Sequence, residues 1–158
     1  MMAATLNGIP EDIGLMKSME VCVEKADGAV LNGSDPLFVI TGGPIAITRL
    51  FGVVTTAVVD AANCHIDATT VTPAATTAMS TDVAINDDAA GTTYTFTAAS
   101  PGVLTPVTNG VQLALGQIAW LMPIGTIYAH CNAARVGVIK WYIVYQPLSP
   151  NSVVTAAA

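Results

Sequence analysis

Residues 135–148, RVGVIKWYIVYQPL, constrain the fold more than any other stretch of this chain. They set one Trp, two Tyr and five β-branched residues in a short run that stops at Pro147. Branched and aromatic side chains suit a pleated, half-buried surface better than a helix. Successive strand residues point to opposite faces. Ile139, Trp141, Ile143 and Tyr145 therefore share one face, and Val138, Lys140, Tyr142, Val144 and Gln146 share the other. The first face is heavily apolar and is expected to anchor a core. The second is mixed, and Lys140 and Tyr142 on it are expected to make subunit contacts. With residues 124–131 before it and a tight connection over 132–137, the stretch reads as the second half of a C-terminal hairpin.

Other segments carry the same β signature. Residues 44–59, PIAITRLFGVVTTAVV, form the longest β-run, and Gly52 in its middle suggests a bulge or bend that passes the strand between two sheets. Shorter strands are expected near 21–27, 37–40, 64–71, 76–85 and 92–98, and in three pieces between 111 and 131. NGSDP (32–36), TGGP (41–44), Thr72-Pro73 and NDDAAG (86–91) read as turns, and 100–110 as a loop. After residue 30 no stretch has a capped 3.6-residue apolar period. Eight to ten short strands at this turn spacing predict an all-β chain, a jelly-roll or Greek-key β-sandwich over 36–158. Residues 1–35 read as an extended N-terminal arm and lead-in strand, and 149–158 as a polar, Ala-rich tail.

Charge narrows the function classes. The 158 residues are 53% hydrophobic but only 10% charged, below the usual quarter. Thr, Ala and Val take up the difference, which suits a surface covered by other proteins. Five basic residues and a net charge of −6 argue against nucleic-acid binding, which needs clustered cations. Residues 111–128 are broken by Gln112, Gly116, Gln117, Pro123 and Gly125, so no membrane span is expected. The start, MMAATLNGIPEDIG, lacks the basic and apolar regions of a Sec-type signal peptide.

Few residues suggest chemistry. Cys64-His65 and His130-Cys131 together hold the ligand types of a structural zinc site. Adjacent strand residues point to opposite faces, however, so each Cys-His pair is expected to split into one buried thiol and one surface imidazole, with no metal. A Cys64–Cys131 disulfide is open if their strands pair. Asp82, Asn86, Asp87 and Asp88 offer oxygen ligands in a turn, but without EF-hand spacing they read as a solvated turn. Gly42-Gly43-Pro44 lacks the Lys-Ser/Thr of a phosphate loop. No catalytic residue and no cofactor are expected.

GGPIAITRLFGVVTTAVV and PIGTIYAHCNAARVGVIKWYIVYQPLSP, with its Pro-x-Gly-Thr-Ile and Tyr-x-Pro-Leu patterns, resemble small virion proteins of tailed bacteriophages, including capsid decoration (cement) proteins. The resemblance runs from about Gly42 to the C-terminus and transfers no catalytic residue. It implies a β-sandwich on the outer surface of the capsid in the virion, commonly a homotrimer, whose partners are the major capsid protein and its own copies. Leu6, Ile9, Ile13 and Leu15 are then the capsid contacts expected of the arm. The alternative expectation is a head-fibre or tail-associated adhesin that binds a host glycan through Trp120, Tyr128 and Tyr142.

Overall fold

The computed structural model describes residues 20–96, 102–107 and 120–158, with the backbone alone described at Asp27 and 102–107. The described chain is all-β. Its strands are β1 (Val21–Val30), β2 (Gly33–Thr41), β3 (Ile45–Val59), β4 (Ala62–Val71), β5 (Ala74–Ala78), β6 (Ser80–Thr81), β7 (Val83–Ile85), β8 (Thr93–Phe96), β9 (Gly102–Val107), β10 (Trp120–Met122), β11 (Gly125–Cys131), β12 (Arg135–Pro147) and β13 (Val153–Ala156). One sheet has the order β1-β12-β3-β8-β9-β6, with β10 also on β3. The other has the order β13-β2-β11-β4-β5, with β7 also on β4. Pairing is antiparallel except at the short β6–β9 contact.

The two sheets share one core. Leu50, Val54, Tyr94, Ile139, Trp141 and Ile143 enter it from the first sheet, and Phe38, Ile40, Ile66 and Ile127 from the second. Along β12 the expected alternation holds: Ile139, Trp141, Ile143 and Tyr145 are buried, and the residues between them are half-buried.

At the centre, Trp141 lies directly opposite Gly52 on β3, and Tyr94 of β8 is the partner of Gly52 on the other side. The two rings stack with centroids 6.4 Å apart. A Cβ on Gly52 would sit 2.9 Å from the Trp141 ring. Gly52 therefore makes room for an aromatic ring and does not bend the strand. The register runs through Gly52 without a break, and β3 stays in one sheet throughout, so the bend expected there is absent. The β12–β3 register shifts elsewhere, between Val138 and Ile139, between Val144 and Tyr145, and between Val136 and Val138, the last at Gly137. Its φ is +143°, and a Cβ would come within 2.7 Å of the Val58 Cα, so glycine is required.

Six further expectations are corrected. β11 and β12 are not a hairpin: β11 pairs with β2 and β4 in the second sheet, β12 with β1 and β3 in the first, and residues 132–134 cross between sheets. NGSDP is not a turn, because β2 begins at Gly33 and pairs with β11 through Ser34, Asp35 and Pro36. Pro36 is accommodated at a register shift in that pairing. Residues 76–85 are not one strand but pieces of β5, β6 and β7. The tail carries β13, an edge strand on β2 that buries Val154. The strand expected near 21–27 continues to Val30 as the edge of the first sheet. The loop expected over 100–110 contains β9.

Two tests follow from this packing. Gly52→Val overpacks the gap beneath Trp141 and is expected to lower stability by about 1–3 kcal/mol in urea unfolding. Cys64 and Cys131, opposed in the β4–β11 register, form a disulfide that closes a separation of 67 residues. Replacing both with Ala is expected to cost about 2–4 kcal/mol, read in the same assay.

Candidate functional site

The parity of β4 and β11 divides their side chains cleanly. Cys64 and Cys131 face the core and are joined. The residue after Cys64 and the residue before Cys131 face outward, so His65 and His130 stand opposite one another on the outer face of the second sheet. Their ring centroids are 4.8 Å apart. Asp67, two residues from His65 on the same face, brings Oδ2 to 3.2 Å from His65 Nε2. Asp82, between β6 and β7, places Oδ1 2.6 Å from His65 Nδ1. Ser34 of β2 holds His130 Nδ1 at 3.0 Å through its hydroxyl. The expected split into buried thiols and surface imidazoles is what the register produces. The sequence reading missed Asp67 and Asp82 as neighbours of the two imidazoles. The i, i+2 spacing of His65 and Asp67 was a usable signal for the first. Nothing local marked the second.

The other acidic residues of that region go elsewhere. Asp87 Oδ1 accepts a bond from the Asp60 amide at 3.4 Å. Asp88 accepts the Tyr94 hydroxyl in a very short hydrogen bond. Burial, then this bond and the charge of Asp88, push the Tyr94 phenol far above its ordinary range. Asp82, Asp87 and Asp88 thus serve three different partners and do not converge on one point.

On the outer face of the first sheet, Lys140 Nζ lies 3.0 Å from Glu24 Oε1, and Tyr142 stacks on Phe51 at 5.0 Å and 14°. Both residues are half-buried and occupy the middle of β12. Leu6, Ile9, Ile13 and Leu15 lie outside the described residues. Trp120 meets Phe96 edge-on at 5.0 Å and packs against the core, Tyr128 is on the outer face of β11, and Tyr142 is on the opposite sheet. The three aromatics expected of a sugar platform therefore do not share one surface.

The exposed large aliphatics gather at the strand ends. Val21, Val71, Leu121, Ile124, Leu148 and Val153 are all at the end where β2, β4 and β12 finish and β3 and β11 begin. Their neighbours there include Tyr145 for Val21, Ala46 for Leu121 and Thr41 for Val153, and the Val71 amide donates to the Ile124 carbonyl at 3.0 Å. Leu121 is 76% exposed. A groove of about 230 Å³ opens there, lined by Thr70, Met79, Trp120 and Met122 among others. At the opposite end Val59 and Val136 pair across β3 and β12, and both are exposed.

Between the sheets, Lys25 and Asp35 line a gap of about 30 Å³, room for a water molecule and not for a substrate. Lys25 Nζ donates to the Ala157 carbonyl at 2.6 Å, which ties the edge of one sheet to the last residues of the other. Comparison with protein-family models, curated proteins and solved structures finds no match to this chain.

Burial raises the Asp35 carboxyl above its ordinary value, and Lys25 offsets this only in part. The folded chain therefore holds this proton more tightly than the unfolded chain. Stability falls as pH rises from the ordinary value of 3.8 through the folded one. Asp35→Asn is expected to raise the melting temperature at pH 7, and the gain is expected to vanish at pH 3. Calorimetric scans across that range measure both.

Proposed function

We propose that this chain is a structural virion protein, a capsid decoration or cement protein that bridges major capsid subunits on the outside of a tailed-phage head. The observation that carries the reading is the set of exposed aliphatic side chains collected at one end, around Val71, Leu121, Ile124 and Val153. Apolar side chains left exposed together at one end of a sandwich suit a contact with another protein. It suits a chain held between subunits, with its two sheets as a rigid spacer.

The strand order supports a jelly roll. The eight main strands run β1-β12-β3-β8 in one sheet and β2-β11-β4-β5 in the other. Following the chain through them, the strands change sheet at every step except β4 to β5. In this reading that alternation is the double Greek key of a jelly roll, an architecture used by viral capsid and lectin domains. Fold alone does not give function, so the weight rests on the surface. Low charge and Thr-rich strands agree with broad protein contacts. In this reading the chain is a homotrimer, Leu6, Ile9, Ile13 and Leu15 of an extended N-terminal arm touch the capsid, and Lys140 and Tyr142 face a neighbouring copy.

Heads stripped of the protein are expected to lose heat and osmotic resistance and to regain both when the purified chain is added back. Val71→Asp with Leu121→Asp should weaken rebinding at least about tenfold while leaving the fold intact, because both side chains are already exposed. Stripped heads with unchanged resistance would end the cement reading. Unchanged rebinding by the double variant would move the contact to another surface.

A further inference from the structure

We infer that the outer face of the second sheet carries a divalent transition-metal site, of the zinc class, formed by His65, Asp67 and His130. One ligand atom from each of these three residues lies within 4.8 Å of the others. They come from two adjacent strands whose register is set by antiparallel pairing and by the Cys64–Cys131 disulfide beneath them. Two imidazoles and one carboxylate are a zinc ligand set with an open position for water. Ligand atoms around tetrahedral zinc sit about 3.3 Å apart, given bonds of about 2.0–2.1 Å. The three groups must therefore close by at most about 1.5 Å, within reach of half-buried side chains on a surface.

The surroundings supply a second, independent indication. Imidazoles that bind metal through one nitrogen usually donate from the other to a carboxylate or a hydroxyl, which sets the tautomer and aims the ring. His65 does this: Nδ1 is held at 2.6 Å by Asp82, which leaves Nε2 facing Asp67. His130 Nδ1 is in turn hydrogen-bonded at 3.0 Å to the Ser34 hydroxyl. Each ring is thus oriented by a residue outside the ligand set. An ion bound between His65 Nε2 and Asp67 Oδ2 takes both as ligands, and any proton that either carried leaves to solvent. Oxygen-preferring cations fit less well, because two of the three ligands are nitrogen. The site clamps β4 to β11 on the outer face, as the disulfide does on the inner face.

The test uses the full chain without an affinity tag, oxidised, in a Cys22→Ser background that removes the exposed thiol. Zinc is added to metal-free protein at pH 7.5 and followed by titration calorimetry and by melting temperature. One zinc per chain is expected, with a dissociation constant below about 10 µM and a melting temperature that rises with zinc concentration. His130→Gln and His65→Gln should each weaken binding at least about 100-fold, Asp82→Asn about 10-fold, and Asp87→Asn not at all. The chain has only two His residues, so imidazole ¹⁵N spectra of the otherwise unaltered protein read the site directly, whether or not a variant folds. Both sets of signals should shift together as zinc is added. No binding below about 100 µM, binding unchanged in both His variants, or imidazole signals that stay in place would each overturn the inference.

Discussion

The pairing of β12 with β3, with Trp141 laid across Gly52, is the constraint on which the first sheet rests. The ring needs a partner strand with no side chain at that point, and Gly52 provides it. Tyr94 stacks from the far side, so three strands meet around one missing Cβ. Glycine weakens an isolated strand, because it has no side chain to pack and loses more backbone entropy on folding. Here the large aromatic surfaces buried on both sides offset that weakness. Leu50 and Val54 flank the same spot and join Ile139 and Ile143 in the core. β1 then pairs with the open edge of β12, and β8 with that of β3.

The second sheet is organised by a simpler rule, the two-residue period of a strand. At Cys64-His65 and His130-Cys131 the chain presents the same two residue types in opposite order. Antiparallel pairing of those strands matches thiol to thiol and imidazole to imidazole. One register thereby makes an internal covalent link and an external cluster of ring nitrogens. Stability and surface chemistry sit back to back on the same residues, separated by the thickness of a backbone.

The faces of the strands were legible in the sequence; their neighbours were not. Alternation in WYIVY separated Trp141, Ile143 and Tyr145 from Tyr142 and Val144 correctly, because parity is local and the core is strongly apolar. The hairpin expectation failed at residues 132–134. A connection that short can close a hairpin or cross to a facing sheet, and nothing in Asn132, Ala133 or Ala134 distinguishes the two. Gly52 was recognised as special, but for the wrong cause: its role is set by a ring 89 positions away in the chain (52 to 141). The tail looked polar and Ala-rich, yet β2 offered it an unpaired edge, and backbone hydrogen bonds do not require apolar side chains. The sugar-platform expectation failed to find a common surface for the same kind of reason, since Tyr128 and Tyr142 were assigned to sheets only by pairing.

By itself the sequence determined that the chain is β-rich, poor in charge and anchored by the aromatic run at 135–148, together with which residues of that run face inward. These properties depend on composition and on a period of two, both readable within a few residues. Only the tertiary structure decided that β11 and β12 part into different sheets, that Gly52 seats Trp141, and that His65, Asp67, Asp82 and His130 meet. Those outcomes depend on register between distant strands. A shift of a single residue would exchange the buried and exposed faces of β4 and bring Cys64, not His65, to the surface.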